Sequence, residues 1–222
     1  MLSDVIGGLL PSALGVALSP VPIIAIVLVL GAPRARSQGA AFALGWILGL
    51  VVVSLLVVLV AGGSEHSDEP SAVLGWVEIT FGVMFLSLAA RQWRTRPGPG
   101  IEPATPAWMD AIDTMGTART SAIGAALSGL NPKNLALTAA AAATIGQAAL
   151  AGPATGVAIG VFVVVGSLTV AGPVVVFLVA PRRSAGPLRS IKEFMSAHNA
   201  AIMMIVLLLL GAKLVGNGLA VV

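Results

Sequence analysis

The chain has 222 residues, 57% of them hydrophobic and only 9% charged. A soluble domain carries roughly 25% charged residues, so a chain this poor in charge cannot solvate its own exterior and needs lipid as its outer solvent. The absence of cysteine excludes disulfides, thiol redox chemistry and thiolate metal sites.

Six stretches are long and apolar enough to cross a bilayer as helices, which takes about 20 residues each. In chain order they run over about Val5–Leu30, Gly39–Ala61, Ser71–Ala90, Thr120–Gly146, Pro153–Ala180 and Ala200–Val221. A barrel does not suit these runs, because barrel strands alternate apolar and polar over about ten residues. The first stretch has no Lys or Arg before it and is too long for a signal-peptide core, so it is expected to remain in the mature protein.

The basic residues give an orientation. Arg34 and Arg36 lie in the first connection, Arg91, Arg94, Arg96 and Arg119 in the third, and Arg182, Arg183, Arg189 and Lys192 in the fifth. The second connection carries Glu65, Asp68 and Glu69 instead. Lys and Arg gather in cytoplasmic loops. The odd connections are therefore expected to be cytoplasmic and both termini extracytoplasmic, in a plasma (inner) membrane. This placement accounts for the net charge of +3 without nucleic acid as a partner.

The third connection contains Arg96-Pro97-Gly98-Pro99-Gly100-Ile101-Glu102-Pro103, an irregular linker. Trp108 to Met115 is expected to form a short interfacial helix. The linker divides one membrane domain into a first three-helix repeat (1–91), a cytoplasmic linker (92–118) and a second three-helix repeat (119–222).

The halves resemble each other. Ala17-Leu18-Ser19-Pro20-Val21-Pro22 in the first stretch has a counterpart in Ala126-Leu127-Ser128-Gly129-Leu130-Asn131-Pro132-Lys133-Asn134 in the fourth. Each places proline in mid-span, and each is followed by a glycine-rich stretch. Three spans per half is odd, so the second half enters the membrane inverted, as in many secondary transporters. The expected fold is all-α and integral to the membrane: six transmembrane helices in two inverted three-helix repeats, with broken first and fourth helices.

Proline in a helix interior frees backbone carbonyls that must find partners in lipid. Broken helices also aim partially charged ends into the space they line. Ser19, Pro20, Pro22, Asn131, Pro132, Lys133 and Asn134 are therefore the candidate substrate-binding residues, although one such break alone is also what a plain kink gives. Lys133 stands near the bilayer centre, where a charge is costly unless hydrated or paired. It either serves the function or is a structural lysine satisfied by carbonyls of the broken helix that carries it. Glu78 is a candidate for proton coupling, for pairing with Lys133 or for substrate contact; otherwise it is a carboxylate hydrated near the outer mouth. Lys213 lies close enough to a span end to snorkel. Ser54, Thr80, Ser87, Thr138, Thr144, Ser167 and Thr169 suit contacts between helices.

His66 and His198 are isolated, no cofactor motif is present and no metal site is expected. Glu65 to Glu69 reads as a solvated acidic loop. The sequence shows no catalytic constellation, and the protein is not expected to be an enzyme.

Leu18-Ser19-Pro20-Val21-Pro22-Ile23-Ile24-Ala25, Pro33-Arg34-Ala35-Arg36 and Gly39-x-x-Phe42-x-Leu44-Gly45-Trp46 resemble the Sap/GAP family, the glycolipid-addressing proteins of actinobacteria. Asn131-Pro132-Lys133-Asn134 is similar to that family and to the wider LysE-type exporter superfamily. The resemblance covers nearly the whole chain. It implies a bacterial plasma (inner) membrane, six spans, an inverted three-plus-three arrangement and export: of cell-envelope glycolipids in the Sap/GAP case, of amino acids or ions in the wider superfamily. The expected function is export of a cell-envelope lipid or another anionic small molecule. Export of a small cationic solute such as a basic amino acid, or non-transporting assembly of a larger lipid-export permease, are the alternatives. Partners are accordingly membrane lipids, the transported substrate, that permease and a second copy of the chain, for which the Gly152-x-x-x-Gly156-x-x-x-Gly160 ridge offers a face.

Overall fold

A computed structural model describes residues 2–62, 72–94, 115–148, 150–220 and 222. Every regular element among the described residues is an α-helix. They are α1 (Leu2–Ala17), α2 (Pro20–Gly31), α3 (Ala35–Gly62), α4 (Ala72–Arg94), α5 (Thr117–Gly129), α6 (Pro132–Gln147), α7 (Gly152–Val179) and α8 (Pro181–Leu219). The acidic second connection, the Pro/Gly-rich linker and all but the last residue of the expected interfacial helix lie outside the described residues.

Proline sets both breaks. Pro20 begins α2 and Pro132 begins α6, each as the first helical residue, where its missing N–H costs nothing. The axes of α1 and α2 differ by 55°. Three helices are long and apolar enough to cross a membrane, over Ala35–Val60, Gly152–Val179 and Ala200–Leu219, and the bent α1–α2 pair makes a fourth if it is one span. Neither α4 nor α5–α6 meets the same measure among the described residues. The α5–α6 pair is built from Ala, Gly, Ser and Thr more than from Leu and Val, a composition that suits packing against protein better than facing lipid.

The chain forms two compact units. Unit 1 comprises Met1–Ser64 with Ala104–Met195, and unit 2 comprises Glu65–Pro103 with Ser196–Val222. Each therefore draws on both halves of the sequence.

In unit 1, α2 is the centre. It is apolar on every side and buried along nearly its whole length, from Pro20 to Leu30, as expected of a helix with no polar face to show. Around it α3 and α5 approach backbone to backbone. A Cβ on Gly45 would fall on the carbonyl oxygen of Ser121, one on Gly49 on the Ser128 hydroxyl, and one on Gly124 on the carbonyl oxygen of Phe42. Trp46 and Phe42 fill the space beside this seam and are almost wholly buried. Gly166 on α7 meets Val16 of α1 and Leu50 of α3. By contrast Gly152, Gly156 and Gly160 have open space where a Cβ would stand; their ridge faces outward.

In unit 2, α4 and the second part of α8 pack through Gly82, Gly211 and Gly218. Gly82 lies against Val215 and the Gly211 carbonyl, and Gly218 against Ile79 and the Gly75 carbonyl.

Candidate functional site: two helix breaks joined

A helix leaves its last carbonyls without intrahelical partners, and the end of α1 shows where they go. The Leu14 carbonyl accepts from the Leu18 amide at 2.8 Å. The Gly15 carbonyl accepts from the Lys133 Nζ at 2.7 Å. The Ala17 carbonyl accepts from the Thr169 hydroxyl at 2.6 Å. Side chains from α6 and α7 thus close the end of a helix more than a hundred residues earlier in the chain. A cation is the right group there, because a helix C-terminus carries partial negative charge.

The end of α5 is closed from within its own half. The Ala126 carbonyl accepts from the Leu130 and Asn131 amides at 2.8 and 3.1 Å, and the Leu127 carbonyl from Asn134 Nδ2 at 2.9 Å. Gly15 and Leu127 stand at the same position relative to Pro20 and Pro132, so α6 supplies the partner to corresponding carbonyls at both breaks.

A further bond ties the breaks side chain to side chain. Ser19 Oγ donates to Asn134 Oδ1 at 2.7 Å. Ser19 occupies the N-cap of α2, yet its side chain makes no capping bond; its hydroxyl is turned to the other break. Asn131, the N-cap of α6, does cap its own helix and accepts from the Lys133 amide at 3.1 Å.

The candidate residues are therefore brought together. Ser19, Pro20, Pro22, Lys133 and Asn134 are buried, Asn131 is half-buried and Pro132 is exposed. Lys133 is 5% exposed, and its bond to Gly15 is the single hydrogen bond its ammonium makes among the described residues. Two of its three N–H donors remain for another acceptor. The backbone offers less: Pro20 and Pro22 have no N–H, and the Lys133 amide is taken by Asn131. An anion at this place would be held by side chains more than by a nest of amides. Glu78 lies on α4, and its side chain is outside the described residues. Lys213 is exposed on α8.

The polar in-span residues divide by environment. Thr169 bridges two helices, whereas Thr80, Ser87 and Thr144 donate to carbonyls of their own preceding turn, at 2.8, 2.8 and 3.0 Å. Ser54, Thr138 and Ser167 are buried and their hydroxyls have no hydrogen-bond partner among the described residues. Gly15 is a site-forming residue that no motif marks, and Gln38 is a buried polar residue that no motif marks either. Gln38 is fully buried and donates through Nε2 to the Met115 carbonyl at 2.7 Å; an amide at the start of an apolar stretch was its only signal. Gly15 acts through its carbonyl, which no side-chain pattern reveals. No group of His, Asp and Glu among the described residues is placed to hold a metal ion.

Apolar helices of this length, with polar side chains gathered at paired helix breaks, define a multi-helix membrane protein. Within that class the chain belongs to the Sap, sulfolipid-1-addressing protein family, whose family model matches residues 9–220, nearly the whole chain. That membership suggests a role in lipid export or addressing. No curated protein and no solved structure matches the chain.

Proposed function

We propose that the protein is a plasma-membrane exporter of an anionic cell-envelope lipid, with its substrate site where the two helix breaks meet. The observation that carries this reading is the buried Lys133 ammonium, anchored on Gly15 with donors to spare. Sulfate, phosphate and carboxylate headgroups are the acceptors such a cation attracts. The family's name, sulfolipid-1-addressing protein, supports a sulfated lipid as the first substrate to try.

The six-span, inverted-repeat architecture belongs to the same reading, as does membership of the LysE-type superfamily. Its support is the recurrence of a proline-begun half-helix followed by a 28-residue helix: α2 then α3, and α6 then α7. The 55° bend between α1 and α2 also favours a broken span over a hairpin, since a re-entrant pair would turn back on itself. Alternating access would work around the joined breaks, with Glu78 as the proton-coupling candidate. The chain has no nucleotide-binding motif, so the energy comes from an ion gradient, a separate ATPase or the substrate's own gradient.

Thermal unfolding of purified, detergent-solubilised protein with sulfated lipids, phospholipids and amino acids tests the site. Stabilisation by a sulfated or phosphorylated lipid is expected in wild type and absent in Lys133→Met. Stabilisation by a basic amino acid instead would point to a cationic solute. Full lipid transport by a stable, correctly inserted Lys133→Met protein would sink the proposal.

A further inference from the structure

Unit 2 has a feature that the joined breaks do not use. Its two helices are tightly apposed where Gly82 meets Gly211 and Val215. Beyond that contact, toward the C-terminal end of α4, the seam opens into a groove of about 280 Å³. Its walls are Leu86 and Ala89 of α4 and Met204 and Leu208 of α8, and Trp93 and Arg94 stand at its end.

The chemistry is graded along the groove. Among the described residues the walls offer no polar side chain, so a soluble anion would gain nothing from them. The volume falls just below the range of about 300–1,000 Å³ typical of small-molecule pockets, which suits one acyl chain and not a whole lipid. At its end an indole, 51% exposed, lies beside an exposed guanidinium. Tryptophan and arginine together are the side chains of the headgroup level of a bilayer. No hydrogen bond or ion pair engages Arg94 among the described residues, and its planar fork matches a phosphate. Arg91 sits one turn earlier on the same helix and adds charge of the same sign.

We propose that this groove binds one anionic phospholipid, with an acyl chain along Leu86, Ala89, Met204 and Leu208 and the headgroup phosphate on Arg94 beside Trp93. Lys133 has no part in it, so the site stands or falls independently of the export reading.

Trp93 is its own reporter. A variant with Trp46→Phe, Trp76→Phe and Trp108→Phe leaves Trp93 as the sole tryptophan. It would be placed in zwitterionic nanodiscs containing a small share of brominated phosphatidylglycerol or brominated phosphatidylcholine. The anionic quencher should be enriched at Trp93 about fivefold, as expected for one basic side chain facing an anionic lipid. Arg94→Gln should remove the preference, Arg94→Lys keep most of it, and Lys133→Met leave it unchanged. Equal quenching by the two lipids would overturn the proposal. Because Trp46 is buried, native mass spectrometry of the otherwise unaltered protein serves as a second measurement. Wild type should retain one more phosphatidylglycerol than Arg94→Gln, and equal retention would overturn the site.

Discussion

Ser19 and Asn134 are 115 positions apart in sequence, yet the serine hydroxyl lies 2.7 Å from the asparagine oxygen and donates to it. Asn134 passes the connection on to the Leu127 carbonyl through its other amide atom. One side chain thus holds a residue from each break.

This bond should appear as energetic coupling. Asn134→Ala leaves the Ser19 hydroxyl and the Leu127 carbonyl unpartnered in a buried place and should cost about 1–3 kcal/mol. Ser19→Ala should cost less, about 1 kcal/mol. A double-mutant cycle by thermal or denaturant unfolding in detergent should return a coupling of about 0.5–2 kcal/mol. Strict additivity would mean the bond is not maintained in the working protein.

Thr169→Val removes the partner of the Ala17 carbonyl at nearly constant volume. The expected loss is about 1 kcal/mol. Thr80→Val and Thr144→Val remove only bonds within their own helices and should change stability by less than about 0.5 kcal/mol. Comparing the three in one unfolding series separates the bridge between helices from bonds inside one.

The glycines should divide sharply. Gly45→Ala and Gly124→Ala each push a methyl group onto a carbonyl oxygen of the opposing helix, and overpacking of backbone on backbone should cost about 2–3 kcal/mol or more. Gly156→Ala and Gly160→Ala meet nothing and exchange glycine for a better helix former. They should be neutral or slightly stabilising in detergent. Marked destabilisation at those two positions, with a shift in oligomeric mass, would show that the ridge is covered by a second copy.

Orientation can be read without removing a single native thiol, since the chain has none. Single cysteines at Arg36 and Ser67 should label oppositely with a membrane-impermeant maleimide: Ser67→Cys in intact cells, Arg36→Cys only after permeabilisation. The reverse pattern would invert the assignment from basic residues.

Much of the architecture is written in local chemistry. Proline alone does not locate the breaks, since Pro11, Pro173 and Pro187 lie inside α1, α7 and α8. The recurrence of Ala-Leu-Ser shortly before Pro20 and Pro132 is what marks these two in the sequence, and the apolar runs locate the long helices. The partners of the break residues are another matter. Lys133 can be identified as a buried cation from its depth, but that it turns to Gly15 depends on α1 and α6 meeting, a relation no local signal encodes. The carbonyl it meets belongs to α1 and not to its own broken helix. The role of Gly45 and Gly49 was equally hidden, because the same spacing at Gly152, Gly156 and Gly160 leads to an exposed face. Small residues permit close approach; the partner helix decides where it happens.

The glycine seam also bears on how the protein is made. The Gly45 and Gly49 face of α3 belongs to the first part of the chain, and the Ser121–Ser128 surface it fits is synthesised only after the linker. Until then α3 stands in the membrane with its closest-fitting face bare, and the end of α1 lacks both Lys133 and Thr169. Unit 1 cannot close helix by helix as the ribosome delivers them. Its assembly is a single late event that awaits α5, α6 and α7, and a nascent chain stopped at the linker holds none of the contacts that join the breaks.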